Sequence, residues 1–140
     1  MKLRRSMMFV PGNNPGMLQN AGIYGADSVI LDVEDAVAVT EKDAARHLVA
    51  AAIKTVKYSQ EVAVRINHIR TPYGEKDLEV ILPSKPDLIR LPVAETADDI
   101  ITVDQIITEA EKKYGFEPGS IQMMGAIETA KGLFNAREII

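Results

Sequence analysis

Acidic side chains gather directly after one short apolar segment of this sequence. Residues 28–31 read SVIL, and Asp32, Glu34 and Asp35 follow. A short apolar run bounded by polar residues is typical of a strand that is buried on both faces of a sheet. In parallel α/β folds, ligands bind and reactions take place at the carboxyl ends of the strands. The three carboxylates are therefore candidates for a catalytic role.

Two arginines and a further glutamate follow other apolar segments. Arg65 and Arg90 end two of these segments, and Glu128 follows a third. An arginine binds a carboxylate through two parallel hydrogen bonds, and oxygen ligands without a histidine or cysteine cluster suit magnesium or manganese. The set predicts a site for a carboxylate-bearing substrate beside a divalent cation. His47 and His68 have no partner at metal-ligand spacing in the sequence, and we expect both at the surface.

Structural roles are open for the same residues. Asp32 and Asp35 could cap the turn or helix that follows their strand, as aspartates often do. Arg65 could form an ion pair with Glu34 or Asp35 that only stabilises the fold. Glu128 could stabilise a helix N-terminus, where a carboxylate is favoured.

The elements that must position these residues alternate along the chain. Strands are predicted over residues 6–10, 28–31, 62–66, 88–91 and 121–127. Helices are predicted over residues 15–24, 41–56, 76–82, 97–114 and from 132 onwards. Thr40 and Thr96 each precede an aspartate by three positions, which is an acidic variant of the capping box. The second helix has one apolar face, with a helical spacing of Ala45, Leu48, Val49, Ala52, Ile53 and Val56.

This alternation predicts an α/β fold with a parallel sheet. An open doubly wound sheet and a TIM (β/α)8 barrel both satisfy the pattern, but the glycine-rich dinucleotide fingerprint is absent after the first strand. A complete barrel needs about 250 residues. We therefore expect residues 1–140 to be the N-terminal part of a single barrel domain. They would cover about its first five βα units and end after the fifth strand and the start of its helix.

The composition narrows the class of protein and of partner. Of the 140 residues, 46% are hydrophobic and 26% are charged, which is typical of a globular domain rather than a disordered chain. The net charge of −4 gives no basic footprint for nucleic acid, and no apolar run approaches the roughly 20 residues of a membrane span. Cysteine is absent, so disulfides and thiolate chemistry are excluded. We expect a cytoplasmic protein that binds neither nucleic acid nor membrane.

Several motifs together resemble one known family. They occur in order as RSMMFVPG (5–12), DVEDAV (32–37), VRIN (64–67), IRLP (89–92) and AIETA (126–130). The chain resembles the HpcH/HpaI aldolase/citrate lyase superfamily along its whole length. Residues 7–10 and the segment GLFNAREI (132–139) are more similar to the citrate lyase β chains within it.

The resemblance implies a (β/α)8 barrel that uses Mg2+ to cleave a carbon–carbon bond. Citrate lyase β chains split a citryl thioester, carried on an acyl-carrier (γ) subunit, into oxaloacetate and an acetyl thioester. They do so in an oligomer with the α subunit. By this match, Arg65 would hold the oxaloacetate carboxylate, and Glu128 would bind the metal and contact the substrate. Glu34 and Asp35 would complete the catalytic site, acting through metal-bound water.

The sequence departs from the family pattern in two ways. Val93 stands where the family usually has lysine after IRLP. A further metal-binding aspartate of the family follows the sixth strand and is expected beyond Ile140. On that basis we expect residues 1–140 alone to bind magnesium weakly and to be inactive.

Two other functions are open on the sequence. A lyase acting directly on malyl-CoA or citramalyl-CoA shares several of the motifs. A half-barrel without activity could instead bind a partner or a second copy, because its sheet edges and apolar faces would be exposed.

Overall fold

The computed structural model describes residues 3–140, so Met1 and Lys2 lie outside the described part. The strands are Met7–Pro11 (β1), Ser28–Asp32 (β2), Glu61–Arg65 (β3), Leu88–Leu91 (β4) and Gln122–Gly125 (β5). They form one five-stranded sheet in residues 3–140, in which every neighbouring pair is parallel and the spatial order is the chain order. The predicted α/β class with a parallel sheet is confirmed.

Helices connect the strands. They are Pro15–Asn20 (α1), Lys42–Thr55 (α2), Gly74–Ile81 (α3), Ala97–Tyr114 (α4), Ala130–Phe134 (α5) and Ala136–Ile139 (α6). Short 3₁₀ turns adjoin three of them, at Ala21–Tyr24, Val39–Glu41 and Leu82–Ser84. Within residues 3–140, none of these helices combines the length and the hydropathy that a membrane crossing requires.

The two faces of the sheet are packed differently. One face carries Val29, Leu31 and Val64, which belong to the main apolar core beneath the helices. We call the opposite face the open face; its apolar group is Met7, Ile30, Ala63, Leu88 and Met124. Because side chains alternate along a strand, Asp32, Arg65 and Arg90 lie on the open face too. The alternation along the strands thus sets the three charged residues on the same side of the sheet.

Most predicted boundaries agree with the structure to within a residue. β4 has the predicted bounds, and β1 and β3 are shifted by one position. The predicted fifth strand is too long, because the chain leaves the sheet after Gly125 and Ala126 accepts a hydrogen bond from the Ala94 N–H instead. The single helix predicted from residue 132 is also wrong. Two short helices replace it, and the first begins after a cap by Thr129, whose hydroxyl accepts the Gly132 N–H.

One of the two predicted capping boxes is present. Thr96 accepts the Asp99 N–H at 3.3 Å, and the Asp99 carboxylate accepts the Thr96 N–H at 2.9 Å. The cap predicted at Thr40 is wrong, because Thr40 lies within a 3₁₀ turn and Glu41 occupies the cap position of α2. Helix α2 is instead stabilised by its packing, with Ala45, Val49 and others buried.

Gly12 closes β1 where the chain approaches the end of β2. Its N–H donates to the Asp32 carbonyl at 2.7 Å, and an added Cβ would lie 2.7 Å from that oxygen and 2.8 Å from Val49 Cγ2. We expect Gly12→Ala to lower the free energy of unfolding by about 1–3 kcal/mol, because backbone and core must shift to make room. Urea unfolding of the two proteins measures this loss.

The matched control is Gly16→Ala in α1. Among the described residues, the added Cβ there meets Asn14 Oδ1 at 3.5 Å, an ordinary contact. An alanine in a helix loses less conformational freedom on folding than glycine, so we expect no loss or a gain of about 0.4–1 kcal/mol. If Gly12→Ala lowered the free energy of unfolding no more than Gly16→Ala does, the close approach at Gly12 would be relaxed in solution.

Candidate active site

The predicted site residues lie at neighbouring register positions. Asp32 pairs in register with Arg65, Arg65 with Arg90, and Arg90 with Met124, at the carboxyl ends of β2, β3, β4 and β5. The sheet register therefore sets the charged side chains side by side on the open face. The structure brings Glu34, Asp35 and Arg65 together, and it places Glu128 beside Arg90.

Asp32 organises the loop that carries the other two acids. It is fully buried, and its carboxylate oxygens accept the N–H groups of Glu34 at 2.9 Å and of Ala36 at 3.0 Å. The capping role considered for Asp32 is confirmed in this form. Asp35 makes no such cap in residues 3–140, and its side chain is exposed.

Arg65 is held by Asp32 through two hydrogen bonds. Its Nε donates to Oδ1 at 2.9 Å and its Nη2 to Oδ2 at 2.6 Å, and this pairing raises the pKa of the guanidinium. The remaining Nη1 lies 3.2 Å from Glu34 Oε2 and 3.6 Å from Asp35 Oδ2. The ion pairs of Arg65 with Glu34 and Asp35 that were considered from the sequence are present, and the shorter hydrogen bonds to Asp32 are added to them. Of the three guanidinium nitrogens, Nη1 therefore has the longest contacts with protein oxygens.

Glu34 is the carboxyl whose proton affinity is raised. Burial raises the pKa of Glu34 above its ordinary value, the nearby Arg65 charge opposes this, and the Asp35 charge adds to it. Its Oε2 also accepts the Asp35 N–H at 3.1 Å. A carboxylate with a raised pKa is a better proton acceptor at neutral pH.

Phe9 is a site residue that the sequence analysis missed. The Arg65 guanidinium lies 4.7 Å from the centroid of its ring, and the Arg90 guanidinium lies 5.5 Å from it. A cation over an aromatic face is attracted by the ring, so Phe9 orients the two arginines on the open face. The only signal in the sequence was the position of Phe9 two residues before the end of β1.

Glu128 links the ends of β4 and β5. Its Oε1 accepts from Arg90 Nη2 at 3.0 Å, and its Oε2 accepts the Val93 N–H at 3.1 Å. The side chain is 37% exposed, so solvent reaches its oxygens. Glu128 does not cap the helix that follows, since Thr129 holds that position.

The backbone at Val93 is in the left-handed region, with φ of 51°. A β-branched residue is strained there, and such strain is concentrated at functional sites. We expect Val93→Asn to raise the free energy of unfolding by about 1 kcal/mol, because asparagine tolerates this conformation. Thermal or urea unfolding measures the gain.

Val39→Asn is the control for Val93→Asn, since Val39 is exposed and its φ is not in the left-handed region. We expect no gain from it. A gain of the same size in both variants would attribute the effect to surface polarity rather than to backbone strain. A lysine at position 93 would also lack the β-branch, so we expect Val93→Lys to retain the fold.

A network of hydrogen bonds from buried side chains holds the loop that contains Glu34. The Lys42 ammonium donates to the carbonyls of Val33 at 3.2 Å and Glu34 at 2.9 Å. Asn67 Nδ2 donates to the same Val33 carbonyl at 2.9 Å and to Asp77 Oδ2 at 2.7 Å.

The network continues to a buried ion pair between helices α2 and α3. Arg46 Nε donates to Asp77 Oδ1 at 2.9 Å, and Arg46 also pairs with Asp43. Lys42, Arg46 and Asp77 were not predicted from the sequence.

The prediction for His68 is wrong, and the one for His47 is confirmed. His47 is exposed on α2. His68 is largely covered, with Nε2 3.8 Å from Asp99 Oδ1, and Arg70 Nη2 lies 2.6 Å from the same oxygen. Asp99 in the cap of α4 thus contacts two residues of the loop after β3, His68 and Arg70, and no local pattern in the sequence indicates this contact.

The oxygen donors at the strand ends are those that a hard cation prefers. Glu128 presents an accessible carboxylate, and Glu34 lies across the open face beside Arg65. Residues 3–140 hold no group of three acidic, histidine or cysteine side chains that could bind a metal by themselves. Any cation bound here would take its further ligands from water or from a substrate.

Comparison with known proteins identifies the family. The model of the family described as HpcH/HpaI aldolase/citrate lyase matches residues 5–140. The chain belongs to the HpcH/HpaI aldolase/citrate lyase family. The resemblance seen in the motifs is thereby confirmed.

Two curated proteins illustrate the similarity of this chain to its relatives. The citrate lyase subunit beta of Leuconostoc mesenteroides subsp. cremoris is 51% identical over 139 residues, 99% of this chain and 46% of that protein. The (3S)-malyl-CoA thioesterase of Cereibacter sphaeroides (strain ATCC 17029) is 34% identical over 136 residues, 96% of this chain and 44% of that protein. The chain spans about half the length of the curated relatives that it matches.

Solved structures share the fold. The citrate lyase beta subunit of M. tuberculosis, complexed with oxaloacetate and magnesium, superimposes with a TM-score of 0.71 at 30% identity. The match covers 99% of this chain and 55% of that one. The malate synthase of Haloferax volcanii, a lead(II) complex, has a TM-score of 0.83 at 20% identity over 95% of this chain and 44% of that one, which shows the fold alone.

Proposed function

We propose that this chain belongs to a carbon–carbon lyase of the citrate lyase β type. The enzyme would cleave a citryl thioester on an acyl-carrier subunit into oxaloacetate and an acetyl thioester. The observation that carries the proposal is the 42–51% identity to proteins named citrate lyase subunit beta over 99% of the chain. Identity to the malyl-CoA thioesterases is lower, at 33–34%.

We propose further that residues 1–140 are the N-terminal part of a single (β/α)8 barrel domain. The parallel sheet in chain order supports this, because successive right-handed βα units build such a barrel. The coverage of about half of each relative supports it as well. The open face would then line the barrel interior. By "the complete protein" we mean this chain together with the rest of that domain.

In this proposal Arg65 binds a carboxylate of the oxaloacetate part of the substrate. Asp32 fixes the guanidinium through Nε and Nη2, and Nη1 keeps the weaker contacts with Glu34 and Asp35. A substrate carboxylate can replace those weaker contacts without moving the arginine. Holding the substrate in one orientation removes much of the entropy cost of reaching the transition state.

Glu34 is the residue that we propose as the proton acceptor. Cleavage breaks the bond between the hydroxyl-bearing carbon and the methylene of the thioester arm. The hydroxyl proton passes to the Glu34 carboxylate, the carbonyl of oxaloacetate forms, and the bonding electrons go to the thioester methylene. That carbon then takes up a proton to give the acetyl thioester. The raised pKa of Glu34 suits the first of these transfers.

Magnesium fits the donor set at Glu128. The ion is usually held by one or two carboxylates and completes its octahedron with water and substrate oxygens. Glu128 supplies an accessible carboxylate beside Arg90, and Glu34 and Asp35 lie beside the neighbouring Arg65, from where they would contribute through metal-bound water. A bound magnesium ion would polarise the oxygen that becomes the oxaloacetate carbonyl. The citrate lyase α and acyl-carrier subunits are the partners that we propose, because the similar proteins are named as subunits of that enzyme.

An assay of the complete protein with two substrates tests the function. Purified protein with magnesium is given citryl thioester on its carrier or on CoA, and separately malyl-CoA, and the release of oxaloacetate or glyoxylate is followed. We expect oxaloacetate from citryl thioester and little turnover of malyl-CoA. Preferred turnover of malyl-CoA would favour the second enzyme class, and turnover of neither would contradict a lyase.

A further inference from the structure

Arg90 lies beside Arg65 on the open face. The two residues pair in register on β3 and β4, and neighbouring strands are about 4.8 Å apart. The Arg90 side chain is 18% exposed at the carboxyl end of its strand. Two cations at this spacing repel each other, so their neighbourhood must contain anions.

The charge of Arg65 is already balanced by protein groups. Asp32 accepts two of its hydrogen bonds, and Glu34 and Asp35 lie within 3.6 Å of the same guanidinium. Three carboxylates therefore surround one cation. An anion that approaches Arg65 must displace one of them.

Arg90 has hydrogen-bonding capacity left. Its Nη2 donates to Glu128 Oε1 at 3.0 Å, while its Nη1 faces Met124 Sδ at 3.9 Å, which is a weak acceptor. Its Nε is buried and has no hydrogen-bond partner among residues 3–140. A guanidinium carries five N–H donors, so most of those on Arg90 have no oxygen acceptor in this part of the chain.

The Phe9 ring keeps Arg90 aligned with Arg65. The ring centroid lies 5.5 Å from Arg90 Cζ and 4.7 Å from Arg65 Cζ. Because one aromatic ring lies beside the two guanidinium groups, Arg65 Nη1 and the N–H groups of Arg90 that have no oxygen acceptor are held in the same region of the open face. Two adjacent arginines are a pair of sites for a ligand that carries two carboxylates.

We propose that Arg90 binds the second carboxylate of a dicarboxylate ligand and so sets the preference for dicarboxylates over monocarboxylates. The inference rests on the proposed function, in which Arg65 holds the first carboxylate. Oxaloacetate carries two carboxylates, and pyruvate is the same type of 2-keto acid without the second one. Arg65 serves the two ligands alike, whereas Arg90 serves oxaloacetate alone.

Equilibrium binding to the complete protein with magnesium tests this. The dissociation constants of oxaloacetate and pyruvate are measured by calorimetry for wild type, Arg90→Met and Arg90→Lys. We expect Arg90→Met to weaken oxaloacetate binding by about 10- to 100-fold, the worth of a hydrogen-bonded charge. The dissociation constant of pyruvate should change by no more than about threefold in this variant, whereas a tenfold change corresponds to 1.4 kcal/mol. The dissociation constant of oxaloacetate for Arg90→Lys should lie between those of wild type and Arg90→Met, since lysine keeps the charge but lacks the planar set of N–H donors.

Arg5→Met is the matched control for the loss of one positive charge. Arg5 is exposed at the amino-terminal end of the strands, opposite to the end that carries Arg90, and it pairs there with Asp27. We expect it to leave the dissociation constants of the two ligands unchanged. The ratio of the two constants is the decisive readout, because a merely structural arginine would alter the two alike.

The outcomes separate the inference from the function on which it rests. Equal weakening of the two ligands by Arg90→Met would overturn the inference, because Arg90 would then act through Glu128. An unchanged ratio in a protein that cleaves citryl thioester would overturn the inference alone. If wild type neither binds oxaloacetate nor cleaves the thioester, the inference and the proposed function fail together. If Arg90→Met does not fold, the ratio of the oxaloacetate and pyruvate dissociation constants in Arg90→Lys tests the inference in its place.

Discussion

In the complete protein, Arg65→Lys is expected to lower kcat/KM for citryl-thioester cleavage sharply while the fold is retained. Lysine keeps the positive charge beside Asp32, but it cannot donate in parallel to Asp32 and to a substrate carboxylate. We expect a loss of about 2–4 kcal/mol in transition-state binding, which is about 30- to 800-fold in kcat/KM. Steady-state kinetics over a range of substrate concentrations measure this change.

Arg65→Met provides the contrast in stability. Asp32 is fully buried, so removing its cation leaves an uncompensated charge, and such changes cost about 3–5 kcal/mol. Adding Asp32→Asn to Arg65→Met should recover much of that loss, because the buried charge is removed while an oxygen still accepts the Glu34 N–H. Kinetics of Arg65→Lys close to wild type would leave Arg65 as a purely structural residue.

The elements of the fold could be predicted because their signals are local. The bounds of β4 follow from a short apolar run between polar residues and a proline, and the apolar face of α2 follows from a periodicity of 3.6 residues. The cap at Thr96 could likewise be predicted from its local sequence pattern. At Thr40 the same pattern is overridden by a 3₁₀ turn.

The partners within the site depend on register between distant segments. Asp32 faces Arg65 because β2 and β3 pair in parallel with these two residues opposite each other. A shift by one position would have turned Arg65 away from the open face. The contact of Phe9 with two arginines likewise joins three strands. No segment of the sequence carries such information by itself, so the acids and arginines could be named but not paired.

The buried cations of α2 do have a signal in the sequence. Lys42 and Arg46 fall on the same helical face as Ala45 and Val49, at spacings of three and four residues. A lysine and an arginine on a buried face require partners, and the structure supplies carbonyls for one and Asp77 for the other. The partner of Arg46 lies 31 positions away, so its identity was beyond local reasoning.

Asp77→Ala is expected to lower the free energy of unfolding by about 3 kcal/mol or more. Asp77 is fully buried, and it accepts from Arg46 Nε at 2.9 Å and from the Asn67 N–H at 2.9 Å. Its removal takes the acceptor away from the buried Arg46 Nε and from the Asn67 N–H, and it leaves the exposed Asp43 as the carboxylate that pairs with Arg46. Activity should fall as well, because Asn67 also holds the Val33 carbonyl and with it the loop of Glu34. Urea unfolding measures the first effect, and steady-state kinetics of the complete protein measure the second.

Two comparisons show whether the buried charge causes the loss at Asp77. Asp104→Ala removes an exposed aspartate from α4, and we expect a change within about 0.5 kcal/mol. Arg46→Met in the Asp77→Ala background should restore part of the stability, since neighbouring members of one network are coupled. If Asp77→Ala were no more destabilising than Asp104→Ala, the buried network would not hold the Glu34 loop. If Arg46→Met restored nothing, the loss would come from the Asn67 backbone rather than from the charge of Arg46.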